Sequence, residues 1–291
     1  MLYSVAYLTL SSLAGLGLLG YATARFPASQ GADGFTQALV AGALLAYLVA
    51  ARCAAHASSE HRRSTEVRRA LQTGAASGVA IAAAAVVGHS LEVFAPLHPP
   101  IPAVLGVGMW GLMFLLLGGA AAQTYRRRKS VVLGVLSSTW AASISSVTTV
   151  VYAFVVGLMF MSRMEQVLSG AFAVSGMTDG RAFVVRNMID GAFSHLLIAP
   201  AVAVLAGAAS LVAYTLFKSI SRVAAGTLAG CALVVAAAGI AFLRFASSLE
   251  RSARPVFVMV GLLLLGLGLT SLSALFAVIR RAAGAHQHTS P

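Results

Sequence analysis

Charged side chains are scarce in this sequence, since Asp, Glu, Lys and Arg make up only 10% of its 291 residues. A soluble domain carries about 25% charged residues, so water cannot be the solvent for most of this chain's surface. The hydrophobic share of 59% and the mean hydropathy of +0.88 instead indicate lipid. A net charge of +12 would suggest nucleic acid in a soluble protein. Here the basic residues form short clusters between apolar runs, where they orient a membrane protein, and we expect no nucleic-acid partner.

Metal-binding and catalytic motifs are also missing. The two cysteines, Cys53 and Cys231, stand in or beside different apolar runs without zinc spacing. His89-Ser-Leu-Glu92 does not have the spacing of a zinc-binding helix, and there is no P-loop or nucleophile elbow. We therefore predict no metal site and no catalytic residues, and the sequence leans against an enzyme without excluding one.

Eight apolar runs are long enough to cross a bilayer as helices, which requires about 20 residues each. They lack the short alternating pattern of barrel strands, so the predicted fold is an all-α, polytopic bundle of about eight helices in four hairpins. We expect one integral membrane domain, 1–281, and a disordered tail, 282–291. The predicted helices are 2–22, 36–53, 71–94, 103–124, 131–161, 195–217, 224–246 and 256–279.

The first run resembles a signal peptide, because Ala22-Thr-Ala24 has the composition of a cleavage site. No Lys or Arg precedes the run, however. A retained first helix is the prediction and cleavage is the alternative.

The loops alternate in charge, which predicts the orientation. One side holds 13 Lys and Arg and two acidic residues, whereas the other holds seven Arg and six acidic residues. Because Lys and Arg accumulate in cytoplasmic loops, we predict a multi-pass plasma-membrane protein with both termini in the cytoplasm. Two clusters dominate the basic side, where they determine topology and contact anionic lipid head groups. They contain Arg62, Arg63, Arg68 and Arg69, and Arg126, Arg127, Arg128 and Lys129.

A parallel internal repeat is a further prediction. A shift of 152 residues places hairpin 71–129 on hairpin 223–281, with 13 of 56 positions identical over residues 74–129. Gly74 and Gly78 then fall on Gly226 and Gly230, and Glu92 falls on Arg244. Similar composition alone is the competing explanation. If the repeat is real, Glu92 and Arg244 lie at equivalent depths and can pair.

The run 131–161 is rich in hydroxyl groups. Ser138, Ala142, Ser145 and Thr149 form a stripe of small residues at helical spacing. Such a stripe favours close helix packing, and a polar pore lining is the alternative. In the following loop, Thr178-Asp179 offers an N-cap for a helix that begins near Arg181. Pro200 lies inside the next span, where it frees a backbone carbonyl and can kink the helix.

Ionisable residues inside membrane helices are costly and therefore mark candidate sites. Those of this chain gather near the predicted outer rim rather than at mid-membrane. Arg186 and Asp190 stand four residues apart and can pair, and His89 and His195 are predicted at similar depth. The candidate outer-rim site comprises His89, Glu92, Arg186, Asn187, Asp190, His195 and Arg244.

Three functional classes stay open, since no known family is recognised in the sequence. The first is a transport or permease-like protein with a cavity at the outer rim. The second is a non-catalytic subunit or scaffold, possible through small-residue helix faces that support homo- or hetero-oligomers. The third is a redox protein or enzyme in which His89 and His195 bind a b-type haem. No cofactor is predicted for the first two.

Overall fold

The computed structural model describes residues 2–30, 34–57, 64–95 and 101–218. Within these ranges the chain forms helices, and no strand occurs among them. Five stretches of the described residues are long and apolar enough to cross a membrane: Leu2–Arg25, Phe35–Ala57, Thr65–Phe94, Val131–Met159 and Gly180–Thr215. The chain is therefore a helical membrane protein.

Nine α-helices and two irregular turns make up the described part of the chain. A 3-10 turn, Pro27–Gln30, follows the first helix, and a π-helical turn, Ser194–Ile198, joins the last two. The helices are α1 Leu2–Arg25, α2 Phe35–Ala57, α3 Ser64–Phe94, α4 Ile101–Arg128, α5 Val131–Met159, α6 Met161–Val167, α7 Ser169–Ala173, α8 Gly180–Phe193 and α9 Ala199–Lys218.

These bounds differ from the predicted spans at several helix ends, and α2 and α4 each extend four residues beyond the predicted ends at 53 and 124. Helix α3 begins at Ser64, before the apolar run, because Glu66 and the arginines after it also favour helix. The predicted helix 131–161 ends at Met159, and the short helices α6 and α7 follow it. Helix α8 was expected as a separate loop helix, but it continues through the π turn into α9. The predicted spans 224–246 and 256–279, and hence the repeat, lie outside the described residues.

The chain divides into two compact units. Unit 1 comprises Met1–Pro102 and Trp140–Val202, and unit 2 comprises Ala103–Thr139 and the described residues from Ala203 onward. Unit 1 thus contains α1, α2, α3, α6, α7, α8, the π turn and most of α5.

In unit 1, α1 packs along α2 through residues at helical spacing. The buried positions of α1 are Leu8, Ser12, Gly15, Leu19 and Ala22. A Cβ atom at Gly15 would lie 3.2 Å from a methyl carbon of Leu44 on α2. The two helices are therefore in close contact along one stripe, and α8 packs against the same α2.

Helices α3 and α5 approach each other still more closely within unit 1. A Cβ atom at Gly78 would lie 2.6 Å from the carbonyl oxygen of Ala141 and 3.0 Å from Cβ of Ile144. Only glycine fits there without a backbone shift. This is the type of small-residue contact that brings membrane helices together.

The small polar stripe of α5 is buried. Ser138, Ala142, Ser145 and Thr149 are between 0% and 5% exposed. The Ser145 hydroxyl donates to the carbonyl of Ala142 on its own helix at 3.0 Å. In unit 2, the Ser138 hydroxyl donates to the carbonyl of Ala203 at 2.9 Å. The burial of these four side chains favours the packing interpretation of the stripe over the pore lining.

Candidate functional site

One cavity of about 220 Å³ lies in unit 1, where the last turns of α3 meet the second half of α5, α6, α8 and the π turn. Its polar lining comes from His89 and Glu92 on α3, Tyr152 on α5, Asn187 on α8 and His195 in the π turn. We call it the rim pocket. Its apolar walls include Val93, Val150, Ala153, Val156, Val167 and Met188.

The rim pocket brings together four of the seven residues of the predicted outer-rim site. His89 and His195 meet edge to face, with ring centroids 6.2 Å apart and an angle of 71° between the rings. Nδ1 of His89 lies 3.8 Å from Oε2 of Glu92, one helical turn further along α3. The side chains of His89 and Glu92 are 38% and 44% exposed, so this end of the pocket is open. Two imidazoles and a carboxylate thus form a row along one wall.

Tyr152 is a lining residue that the sequence did not single out. The hydroxyls of Tyr152 and Ser90 are hydrogen-bonded to each other. Ser90 also donates its only proton to the carbonyl of Val86 at 2.7 Å. Tyr152 must therefore donate to Ser90, which leaves the lone pairs of the Tyr152 oxygen free to accept. A tyrosine inside an apolar run carries no signal that distinguishes this position from an ordinary interface tyrosine.

The π turn positions His195. Pro200 has no N–H, so it cannot donate to the carbonyl of Leu196 as an ordinary helical residue would. The hydroxyl of Tyr47 on α2 donates to that carbonyl at 2.7 Å. The freed carbonyl predicted from Pro200 therefore has a partner, and that partner holds the backbone beside His195. π turns of this kind are frequent at functional sites.

Helix α6 lies across the end of α3 and borders the pocket. Nε of Arg163 donates to the carbonyl of Val93 at 2.8 Å, and its guanidinium also donates to Gln166 at 3.0 Å. Val93 belongs to the last turn of α3, where carbonyls lack helical partners. The rings of Phe94 and Phe160 meet edge to face at 5.0 Å. These contacts fix the segment that closes one side of the rim pocket.

The start of α8 is fixed by its cap. The side chain of Asp179 accepts from the backbone N–H groups of Arg181 and Ala182 at 2.9 and 3.1 Å. The predicted N-cap is thus confirmed at Asp179. Arg181 also lies 3.9 Å from Glu165 of α6, which links the beginning of α8 to the segment beside the pocket.

The remaining members of the predicted site do not line the rim pocket. Arg186 and Asp190 are exposed, and neither is among the residues that line the rim pocket. The two side chains are close enough for an electrostatic interaction with each other. Arg244 lies outside the described residues, as does its predicted pairing with Glu92.

The predicted lipid-binding residues are only partly described. Arg68 and Arg69 are exposed in the second turn of α3 in unit 1. In unit 2, Arg126 and Arg127 are exposed at the end of α4, and Lys129 follows with a φ of 55°. Arg62 and Arg63 lie outside the described residues. The exposed arginines are free to contact a head-group region.

Among the residues that the structure describes, no three His, Cys, Asp or Glu side chains are placed to hold a metal ion. No family model, curated protein or solved structure matches this chain. Any function must therefore be argued from the rim pocket itself.

Proposed function

We propose that this membrane protein is transport-like and that it binds a small solute in the rim pocket. The observation that supports the proposal is the convergence of His89, Glu92, Tyr152, Asn187 and His195 on one cavity with otherwise apolar walls. Apolar cavities with a few converging polar groups are the usual form of a small-molecule site.

The size of the cavity favours a small solute. Drug-sized ligands occupy pockets of about 300–1,000 Å³, and the rim pocket measures about 220 Å³. One water molecule occupies about 30 Å³ in the liquid, so the volume of the pocket equals that of about seven water molecules. This volume favours a solute of a few carbon atoms over a b-type haem between His89 and His195, although the two imidazoles face each other.

The location of the pocket suggests transport. Its polar residues cluster near the end of α3 and on the segment before Pro200, which the charge of the loops assigns to the outer side of the membrane. A proline and a π turn beside a binding site provide a point where a membrane helix can bend. The subunit or scaffold alternative needs no cavity, so the rim pocket favours transport over it.

The proposal includes the topology that the charges predict. Eight helices would place both termini and both basic clusters on the cytoplasmic side, where the clusters meet anionic lipids. Reporter fusions after Lys129 and at the C-terminus test this arrangement. Both should report a cytoplasmic location, and an external location for either one would overturn it.

Solute binding is tested with purified protein in detergent and a panel of short-chain amines, carboxylates and alcohols. A ligand that binds only the folded state raises stability by about 2.7 kcal/mol at one hundred times its Kd. We expect at least one class to raise the thermal midpoint of the wild type. Ala153→Leu fills the cavity from its wall and should abolish the increase. Asp190→Asn, an exposed change on α8 outside the pocket, is the matched control and should preserve it.

Transport is tested by saturable uptake of the stabilising solute into proteoliposomes. Uptake by the wild type and its loss in Ala153→Leu would support transport. Binding without uptake would overturn the transport function. If no solute in the panel stabilises the wild type, or if Ala153→Leu responds as the wild type does, the rim pocket is not the binding site.

A further inference from the structure

We infer that the solute is a small organic cation, an ammonium group on a short apolar chain, with Glu92 as the residue that selects it. This inference rests on the proposed function and deepens it. Its basis is the juxtaposition of a carboxylate, acceptor atoms and an apolar wall inside one cavity.

Glu92 determines which sign of charge on the solute the rim pocket favours. Of the described residues that line the rim pocket, Glu92 is the one that is charged when the histidines are neutral. Nδ1 of His89 is 3.8 Å from the Glu92 carboxylate, which is beyond hydrogen-bond distance for a neutral imidazole. Glu92 therefore keeps acceptor capacity toward the cavity. An anionic solute would face this carboxylate, whereas a cation is attracted to it.

The other polar groups can all accept hydrogen bonds from such a cation. The Tyr152 oxygen has free lone pairs because its proton is donated to Ser90. The Asn187 side chain supplies an amide oxygen, and each neutral imidazole of His89 and His195 has one acceptor nitrogen. An ammonium group has three donors and no acceptor. Asn187 and the two imidazoles also carry N–H donors, so these groups fit an ammonium group, and the preference for a cation over an anion comes from the Glu92 carboxylate.

The rest of the cavity complements an alkyl chain. Val150, Ala153, Val156 and Met188 form apolar walls next to the polar row. Each buried methylene should raise the affinity about fourfold, so affinity should rise with chain length until the pocket is full. A bare inorganic cation would leave these walls without a contact.

The test compares three probes of similar size: n-butylammonium, 1-butanol and butyrate. Each is titrated calorimetrically into the purified full-length protein at about pH 8, where an unperturbed imidazole is neutral. A charge contact of about 1.4 kcal/mol corresponds to tenfold in affinity. We expect n-butylammonium to bind about tenfold or more tightly than 1-butanol, with butyrate weakest.

Glu92→Gln should remove that preference and bring n-butylammonium to within about threefold of 1-butanol, because the amide keeps the shape and loses the charge. Asp190→Asn should leave the preference intact, since Asp190 does not line the pocket. A second measurement uses the wild type alone, in case the Glu92 variant does not fold. Salt should weaken n-butylammonium binding and leave 1-butanol binding unchanged.

The outcomes separate this inference from the proposed function. Equal affinity for all three probes, or tighter binding of butyrate, overturns the cation assignment while solute binding stands. An unchanged preference in Glu92→Gln overturns the role of Glu92. If none of the probes binds the wild type while other members of the solute panel do, the cation assignment alone fails. If no member of the panel binds, the proposed function fails with it.

Discussion

Two stretches of helix α5 differ in the surroundings of their side chains, since one is packed against protein and the other lines a cavity. Around Ala142, the side chains of the hydroxyl-rich stripe are buried, and Ser145 donates to a carbonyl of its own helix. About three turns later, Tyr152 and Ala153 line the rim pocket. Serine and threonine can satisfy themselves on a carbonyl three or four residues back. Imidazole, carboxylate and amide side chains do not form this bond with their own helix, so they need a hydrogen-bond partner on another element or a cavity. The number of polar side chains in a stretch of helix therefore does not predict where a membrane protein has a cavity.

The largest effect is expected from one substitution made in both stretches. Ala142→Leu inserts three carbons where the side chain is 1% exposed. Overpacking of this type costs about 1–3 kcal/mol, and we expect a loss near 3 kcal/mol in the free energy of unfolding, measured by denaturant titration in detergent. Ala153→Leu places the same carbons in the cavity and should change stability by less than about 1 kcal/mol. Equal losses for the two variants would show that the stretches do not differ in packing.

A smaller loss, about 2 kcal/mol, is expected for Gly78→Ala. The new Cβ would be 2.6 Å from the Ala141 carbonyl oxygen, and a backbone atom cannot rotate away. Gly42→Ala on α2 is the matched control, because no atom lies within 4 Å of its Cβ position. The control should be neutral or slightly stabilising, since alanine favours helix. Denaturant titration of both variants compares their free energies of unfolding. A Gly78→Ala protein as stable as the wild type would contradict the close contact of α3 with α5.

At the π turn, Tyr47→Phe should cost about 1 kcal/mol, because it removes one buried hydrogen bond and leaves the Leu196 carbonyl without that donor. Tyr7→Phe is the comparison. Its hydroxyl pairs with Thr148 at an exposed position, and Thr148 keeps its own bond to Ile144. We expect a smaller loss there. Thermal unfolding measures both, and a larger loss for Tyr7→Phe would argue against a special role for the π turn.

The smallest expected effect concerns the start of α8. Asp179→Ala removes the acceptor for two backbone N–H groups and should cost about 0.5–1 kcal/mol. Asp179→Ser retains an acceptor and should recover most of that loss. Hydrogen exchange at Arg181 and Ala182 provides the local measurement. Unchanged exchange in the alanine variant would show that the cap does not hold this end of the helix.

Several features of this structure follow from local sequence. Asp179 precedes a helical run and caps it, since capping depends on residues two and three positions away. Pro200 leaves a carbonyl without its helical donor wherever the helix lies. The helix ends were harder to predict. The first turns of α3 contain Glu66, Arg68 and Arg69, which favour helix but which a search for apolar runs does not detect. The break at Phe160 lies within two residues of the predicted end at 161, because Ser162 and Arg163 follow there.

The sequence by itself determined that the solvent is lipid and that the backbone is helical, because unpaired N–H and C=O groups are too costly in a bilayer. It also predicted that the ionisable residues gather toward one rim of the membrane. Only the tertiary structure decided that His89 and His195 line the same cavity. It also decided that Tyr47 donates a hydrogen bond to the carbonyl freed by Pro200. Arg186 and Asp190, by contrast, do not line the rim pocket. Those outcomes depend on the rotation of each helix about its axis, which is set by contacts between residues far apart in the chain.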